Sequence, residues 1–369
     1  MRHVQKTKPG ARRREGFTLI EVLIASLIMI IIVVGALSIY VKSNRTATDQ
    51  QQYVQTQQDV RAAMYYLSRD VRMAGQGLPS NFLWAAVQGT DNENQGETIR
   101  PDRVRFMGNI EEPLRLSIQK YMGSSSNTTL LDFSLEQNTY PDSYYIGKIV
   151  MVLPNPNSTC TGAAFRQISS VRHSAGGTLE GFDFAPGQAP GVNPPGGLSD
   201  VCASDDYDGG TIMFCDVYDY WLDITGSYPG LTAGQAGYIG GGTGGVLYQN
   251  RNGINNALAM NIEDLQVQYN GNFDGDAGGT LDGFTNWNSA WTAAQISCIR
   301  QVRLWVVGQT PTRFVSISAA SGSGPSLYRH PGVANSAAGT ADDGRKRFVL
   351  ETTINVRNMS LNLYNVGVR

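Results

Sequence analysis

The sequence predicts an α+β protein: a long N-terminal α-helix, whose first half crosses a membrane, packed on a β-rich head domain with an antiparallel sheet. Three observations lead to this fold class. An unbroken apolar run follows a basic leader, an amphipathic helical pattern continues from it, and short β-like runs fill the remainder. The 42 glycines also favour a loop-rich, β-rich body over a helical bundle.

Residues 1–16 form the basic leader. They hold six of the 29 basic residues of the chain and one, Glu15, of its 31 acidic residues. The rest therefore has 23 basic and 30 acidic residues, a net charge of about −7. Because a nucleic-acid backbone demands a basic footprint, we expect no direct nucleic-acid binding by the mature chain.

Residues 17–41 form the predicted membrane span. These 25 residues include one charged side chain, Glu21, and at about 1.5 Å per residue they reach roughly 37 Å, enough to cross a bilayer. The basic leader should stay in the cytoplasm, so the head should be periplasmic or extracellular. The predicted domains are the leader, residues 1–16, a long helix, residues 17–77, and the head, residues 78–369.

Glu21 is the anomaly of the apolar run. An acidic residue at the centre of a membrane helix costs on the order of 3 kcal/mol and usually has a partner. One interpretation is that the side chain reaches the membrane interface. The other is that cleavage after Gly16 gives Phe17 an α-amino group, which Glu21 of the same or a neighbouring helix neutralises. The carboxylate would then serve assembly.

The stretch GFTLIE, residues 16–21, resembles the class III leader of type IV pilins and type II secretion pseudopilins. The resemblance implies that a prepilin peptidase cuts between Gly16 and Phe17 and then methylates the amino group of Phe17. It implies that Glu21, the fifth residue of the mature chain, recruits the subunit into a growing filament. The implied fold is the pilin lollipop, a helical stem with a head.

The helical pattern continues beyond the membrane. Apolar residues recur at intervals of three, four and seven, and Gly75, Gly77 and Pro79 then end the helix. We expect this stripe to pack on the chain's own head; packing on a neighbouring subunit is the alternative. The stripe consists of Tyr53, Val60, Met64, Leu67, Val71 and Ala74.

Beyond Leu78 the sequence predicts short strands separated by Gly, Pro, Asn and Ser. Residues 174–200 and 225–248 predict loops. Three late strands, at 262–270, 298–308 and 347–361, are expected to pair antiparallel and to lie on the long helix. The other predicted strands are 103–107, 114–119, 129–133, 146–153 and 165–171.

The late segments resemble the PilW family of minor pilins. They read IEDLQVQY (262–269), VRLWVV (302–307) and TINVRN (353–358), with an aspartate-rich loop and tryptophans between the first two. The resemblance implies a minor pilin that primes type IV pilus assembly and stands at or near the pilus tip, and pili serve adhesion and twitching motility.

The same resemblance implies partners and a location. The partners are other minor pilins, the major pilin, a large tip adhesin, the prepilin peptidase and the inner-membrane assembly platform. The chain would span the inner membrane once, with a periplasmic head, before it enters the fibre or its tip. Two alternatives stay open: a type II secretion pseudopilin of the J type, and a membrane-anchored, calcium-dependent adhesin or ligand-binding module.

Four cysteines, Cys160, Cys202, Cys215 and Cys298, lie beyond the apolar run and form no C-x-x-C pair. In an exported domain they predict two disulfides, and three connectivities are open.

The candidate metal site is the aspartate-rich segment 270–284. Asn272, Asp274 and Asp276 alternate there as in calcium loops, with Asp282 to close the set, and such side chains supply the oxygen ligands that Ca²⁺ prefers. The match to an EF-hand fails at the sixth and twelfth positions. A structural calcium that stiffens the head and a plain Asx-rich turn are both open.

Motifs of catalysis are missing from the sequence. The mature chain has two histidines, His173 and His330, and no G-x-S-x-G, H-E-x-x-H or phosphate-loop motif. We therefore expect no enzymatic activity. The acidic stretch 204–210 is interpreted as a hairpin or loop tip, with a metal site as the alternative. The aromatic residues Tyr218, Tyr220 and Trp221 are interpreted as core, with a sugar-binding platform as the alternative.

Overall fold

The structure is a computed structural model, and the chain forms two compact units, Met1–Gln52 and Tyr53–Arg369. The leader, residues 1–16, and Asp276 lie outside the described residues. The described residues are 17–91, 101–111, 114–122, 128–131, 140–160, 162–177, 179–185, 198, 201–223, 245–274, 281–312, 328–339 and 342–360.

The first helix, α1, covers Leu19–Met73, 55 residues. Every side chain from residue 17 to residue 48 is exposed. By length and composition this part of α1 could cross a membrane. A helix suits such a segment because it satisfies all backbone hydrogen bonds internally, which a bilayer demands.

The second half of α1 buries one face against the head. Val60, Leu67 and Val71 are fully buried in one core cluster with Leu304 and Val306 of the sheet. Met64 and Ala74 join the same cluster, so the predicted stripe and its packing on the chain's own head are confirmed. Tyr53 differs from the rest of the stripe, because its side chain is half-exposed.

The end of α1 follows the predicted glycines. Gly75 and Gly77 have φ values of +77° and +71°, a left-handed conformation that favours glycine. The amide of Gly75 donates a hydrogen bond to the carbonyl of Met107 (2.8 Å), and the side-chain amide of Asn358 donates to the carbonyl of Ala74 (3.2 Å). The helix end is thus fixed by two distant segments of the head.

Among the residues that the structure describes, antiparallel pairs join fourteen strands into a single sheet. The strands are β1 Val87–Thr90, β2 Arg103–Gly108, β3 Arg115–Met122, β4 Thr128–Leu131, β5 Ile149–Leu153, β6 Ala164–Gln167, β7 Ser170–His173, β8 Leu179–Asp183, β9 Thr211–Asp223, β10 Gly245–Arg251, β11 Ile254–Gly271, β12 Phe284–Thr285, β13 Ile299–Gln309 and β14 Arg347–Asn355. The described residues also form the short α-helices α2 Asp142–Tyr145, α3 Ala293–Ser297 and α4 Arg357–Ser360, and 3₁₀ helices at Ser80–Ala85 and Ser204–Tyr207.

The sheet runs in the order β14-β13-β11-β10-β9-β3-β4-β8-β7. Strand β9 is its centre: its first residues pair with β3 and β5, and its later residues pair with β2 and β10. Strand β1 pairs with β2, β6 with β5 and β12 with β11.

The two largest hydrophobic clusters meet at the first half of β9. Met213 and Cys215 belong to the cluster that contains the buried face of α1, whereas Ile212 and Phe214 belong to a second cluster under β5 and β8. This division follows from the geometry of a strand, in which successive side chains point to opposite faces. One strand therefore joins both cores.

The three late strands are confirmed as an antiparallel set, β11-β13-β14.

Other predictions of strands and loops were wrong in part. Residues 165–171 form two strands, and β14 gives way to α4 before residue 361. Strands β8 and β10 occupy parts of the predicted loops at 174–200 and 225–248, and β9 was not predicted. Its side chains are buried on both faces, so it lacks the alternation that marks a half-buried strand.

Candidate functional site

The N-terminus of α1 is capped by a hydrogen-bonded pair, Thr18 and Glu21. The backbone amide and the hydroxyl of Thr18 donate to Oε2 of Glu21 at 2.9 and 3.0 Å, and the amide of Glu21 donates to Oγ1 of Thr18 at 3.4 Å. This is a capping box, in which a Thr and a Glu three residues later satisfy each other's backbone donors. The T-x-x-E spacing is visible in the sequence, although this cap was not among the predictions.

The capping box holds the carboxylate of Glu21 at the amino end of the helix, next to Phe17. Glu21 is exposed, and its second oxygen, Oε1, makes no hydrogen bond to any residue that the structure describes. The positive end of the helix dipole favours a negative charge at this place. One carboxylate oxygen thus shapes the helix end, while the other faces outward and can meet a cation.

The surface around Glu21 is apolar on every side of the helix. Leu27 and Ile31 are 60% and 64% exposed, and Phe17 is 87% exposed. Each buried side chain of this size is worth roughly 1.5–3 kcal/mol, so this surface strongly favours lipid or other apolar helices over water. The segment combines a single carboxylate with an apolar coat.

A buried polar network fixes the second half of α1 on the sheet. Asp70 is fully buried and accepts hydrogen bonds from the hydroxyl of Tyr220 (2.5 Å), the amide of Gln249 (2.9 Å) and Nε of Arg69 (2.7 Å). Burial, and then the negative charge of Asp70, raise the pKa of Tyr220, which keeps its hydroxyl a donor. Asp70 was not predicted from the sequence, because its partners Tyr220 and Gln249 lie 150 and 179 residues away.

The cysteines form one disulfide, not the two predicted. Cys160 is bonded to Cys202, with their Cα atoms 5.8 Å apart, and Cys215 and Cys298 are free. Cys215 lies inside the core on β9, and burial raises the pKa of its thiol to about 12. Cys298 lies at the C-cap of α3 and is half-exposed. The fold holds Cys160 and Cys202 at bonding distance, whereas Cys215 is enclosed by apolar neighbours.

In the described part of the aspartate-rich loop, Asp282 serves as a turn residue. Its Oδ2 accepts hydrogen bonds from the backbone amides of Phe273 (2.6 Å) and Asp274 (3.1 Å). The described residues contain no group of three His, Cys, Asp or Glu side chains placed to hold a metal. Asp276 lies outside them, so calcium binding by Asn272, Asp274, Asp276 and Asp282 stays a prediction.

His173 and His330 both have acidic partners. Nε2 of His173 lies 2.8 Å from Oδ1 of Asp142, and Nε2 of His330 lies 3.2 Å from Oδ2 of Asp264 in the interior. Burial by itself lowers the pKa of His330, but Asp264 and the nearby negative charge of Glu263 outweigh burial and raise it.

The structure bears on two further interpretations of the sequence, and the one of Tyr218, Tyr220 and Trp221 as core is confirmed. Ser204–Tyr207 forms a short 3₁₀ turn, in which Asp206 accepts a hydrogen bond from the amide of Ala203. Asp208, just after this turn, accepts one from the amide of Tyr121 on β3. The aromatic side chains Tyr218, Tyr220 and Trp221 are buried.

Comparisons with known proteins bear on the N-terminal segment. The family model of the prokaryotic N-terminal methylation motif matches residues 11–37. A solved structure of a type IV-like pilin from Thermus thermophilus is 13% identical, with 59% of this chain and 90% of that chain covered and a TM-score of 0.21. No curated protein sequence matches the chain.

The chain thus carries the methylation motif of prepilins on an apolar helix that continues onto an antiparallel-sheet head. This combination supports membrane anchoring and incorporation into a pilin-type assembly. It is shared by pilins and pseudopilins.

Proposed function

We propose that this chain is a minor pilin of the PilW family, which primes type IV pilus assembly and stands at or near the pilus tip. The observation that carries the proposal is the methylation motif at residues 11–37. Its described part, residues 17–37, contains the exposed apolar start of α1, with Glu21 at the amino end. The late segments β11, β13 and β14, which resemble that family in sequence, form adjacent strands.

In this proposal the amino end of α1 is the assembly site. Cleavage between Gly16 and Phe17 creates an α-amino group, which the peptidase then methylates. Glu21 attracts the amino group of a neighbouring subunit, and this attraction is stronger in the low dielectric of a membrane than in water. The exposed apolar side chains between residues 17 and 48 pack on neighbouring helices in the fibre.

In this proposal the chain meets one set of partners in the membrane and another in the fibre. The prepilin peptidase and the assembly platform meet it in the inner membrane, with the head in the periplasm. Other minor pilins, the major pilin and a large tip adhesin meet it in the assembled fibre. The chain itself is structural and has no enzymatic role.

The first test is mass spectrometry of the N-terminal peptide from sheared surface fibres and from membranes. We expect N-methylated Phe17 in the fibre fraction. Methylated Phe17 confined to membranes would favour a secretion pseudopilin of the J type. An uncut Met1 in both fractions would make the segment a simple anchor and refute the assembly proposal.

A second test removes the charge of Glu21. Glu21→Ala should leave cleavage intact and abolish recovery of the subunit in fibres, because the amino group of the neighbour loses its partner. Glu21→Gln keeps the size and the hydrogen-bonding capacity of the side chain, so equal loss in this variant would isolate the charge. The control is Glu351→Ala, which removes an exposed acid of the head. Normal incorporation of Glu21→Ala would contradict the charge-pair argument.

Structural calcium in segment 270–284 is a separate proposal. Asp274→Ala combined with Asp276→Ala should lower the melting temperature of the head only when calcium is present. Equal loss of stability in a chelator would show a plain turn. Calcium-dependent binding of a surface ligand, with uncut Met1, would instead favour the anchored adhesin.

A further inference from the structure

The second half of α1 has a side that is turned away from its buried stripe. The residues on it recur at intervals of four, three, four, three and four, which places them along one side of the helix. We call this side the Arg–Tyr face, and it consists of Val54, Gln58, Arg61, Tyr65, Ser68 and Arg72. Its mean interval of about 3.5 residues is the one by which two helices pack side by side, so the face fits another helix.

Tyr65 is the most prominent side chain of the Arg–Tyr face, at 66% exposed. Its ring stands edge-on to that of Tyr66, with the centroids 5.6 Å apart, and the guanidinium of Arg69 lies 5.4 Å from the centroid of Tyr66. Nε of Arg69 in turn donates to Asp70, which is bonded to the sheet. This series of contacts holds Tyr65 in place, and an exposed, ordered tyrosine is a typical anchor of a protein interface.

The Arg–Tyr face is positively charged. The guanidinium of Arg61 lies 5.9 Å from the centroid of the Phe348 ring, and among the described residues neither Arg61 nor Arg72 contacts a carboxylate. The acids of this part of α1, Asp59 and Asp70, are turned toward the head: Oδ2 of Asp59 and the whole of Asp70 are buried. Arg61 and Arg72 therefore present two positive charges that the helix itself does not neutralise.

These properties favour a protein partner over a membrane surface. Lipid headgroups attract clusters of about four to eight basic residues, whereas this face has two unneutralised arginines and no lysine. Arginine and tyrosine are enriched in the cores of protein interfaces and lysine is depleted there, and the planar guanidinium matches the geometry of a carboxylate.

The same charges disfavour a second copy of this chain as the partner. In any register, two Arg–Tyr faces would bring four guanidinium groups together without an exposed carboxylate on either face. Like charges that are brought together in an interface cost binding energy and suppress the wrong partner. The missing carboxylates must therefore come from a chain of different sequence.

We propose that the Arg–Tyr face binds an acidic helix of a different protein subunit, with Tyr65 at the centre and Arg61 and Arg72 each paired with a carboxylate. The two arginines are eleven residues apart, which is roughly 16 Å along the helix, so the partner has two acids about eleven positions apart on one side. The inference rests on the proposed function in placing this partner beside the chain in a fibre. It adds that the neighbour is selected by charge.

The test places the photo-crosslinking amino acid p-benzoylphenylalanine at position 58 of the full-length chain, in cells that make fibres. After irradiation, crosslinked peptides from sheared fibres and from membranes are sequenced by mass spectrometry. We expect a peptide of a different chain with two acidic residues about eleven positions apart. The same digest reports the state of Phe17, so the proposed function is read out separately.

Charge variants test the pairing. Arg61→Gln combined with Arg72→Gln should lower the crosslink yield about tenfold or more, because charge-assisted hydrogen bonds are lost. The matched control, Arg172→Gln combined with Arg303→Gln, also removes two half-exposed arginines and should leave the yield unchanged. Arg61→Glu with Arg72→Glu should abolish the crosslink, and arginines in place of the two acids of the partner should restore it. The unfolding transition of each variant checks its folding.

Several outcomes would overturn the inference: a crosslink to a second copy, a phospholipid adduct, a crosslinked peptide without acids, or equal loss in the control pair. No crosslink in fibres that contain methylated Phe17 would overturn it and leave the proposed function standing. With uncut Met1, a crosslink that still depends on Arg61 and Arg72 would support the face and refute the proposed function. Loss of the crosslink together with uncut Met1 would refute both.

Discussion

Residues 17–48 and residues 56–73 belong to one continuous helix and have opposite surroundings. The first segment has every side chain exposed and is apolar on all sides of the helix as far as residue 41, whereas the second buries one face and exposes the other. A helix that is apolar all round needs an apolar medium, and a striped helix needs a core on one side. The same secondary structure therefore serves two environments, and the distribution of apolar residues separates them.

The carboxylates of the two segments also differ in their burial and in the distance along the chain to their hydrogen-bond partners. Glu21 is satisfied by Thr18, three residues away, and stays exposed. Asp70 is fully buried and is satisfied by Tyr220 and Gln249, which are 150 and 179 residues away. A local cap leaves Glu21 free to meet an external partner. The hydrogen bonds of Asp70 to the sheet instead hold the second half of α1 against the head.

The largest expected effect comes from one substitution made in both segments. Leu67→Ala should lower the free energy of unfolding of the head by about 2–5 kcal/mol, because it opens a cavity in the core. Leu27→Ala removes the same atoms from a side chain that is 60% exposed, and should leave the unfolding of the head unchanged. Chemical denaturation in a neutral detergent measures both. Equal losses would break the comparison between the segments.

A smaller loss of stability is expected when a glycine at the contact between α1 and β13 is replaced by alanine. A Cβ on Gly308 of β13 would overlap Cγ2 of Val60 and lie 2.9 Å from Cγ2 of Thr56. Gly308→Ala should therefore cost about 1–3 kcal/mol, because the stiff side chain of Val60 has no room to move away. Gly35→Ala is the control, because nothing lies within 4 Å of its added Cβ. Thermal unfolding of the head should fall in the first variant alone; an unchanged melting temperature for Gly308→Ala would show that α1 packs loosely on β13.

The smallest effect on stability is expected from the titration of His330, on the sheet face opposite α1. Trp305 and Val307 of β13 pack there against Val333, close to the buried pair His330 and Asp264. Because the pKa of His330 is raised in the folded state, its contribution to stability is present below the usual histidine pKa. It is lost as pH rises through the raised value.

Unfolding experiments across this pH range should show the loss in the natural chain and not in His330→Gln. The stability difference between Leu67→Ala and the natural chain should stay constant over the same range, because Leu67 lies on the other face of the sheet. A pH-dependent difference would show that the two faces are coupled.

The sequence by itself determined the elements whose physics is local. The apolar run, the stripe from Val60 to Ala74 and the glycines that end α1 depend on neighbours within a few residues. The late strands could be predicted because apolar residues alternate in their sequences, as Val302, Leu304 and Val306 do in β13. In the structure β14 is half-buried, whereas residues 262–267 of β11 and 304–309 of β13 are buried on both faces. The Thr18–Glu21 cap was equally local and could have been found from its spacing.

Tertiary structure alone decided which distant side chains meet. The position of β9 between two cores, the partners of Asp70, the pairing of Cys160 with Cys202 and the alignment of Arg105 with Asp219 all depend on strand order and register. A fully buried strand loses its alternation, and contacts between residues more than a hundred positions apart leave no periodic trace in the sequence. These contacts are determined by burial and strand register, which exist only in the folded chain.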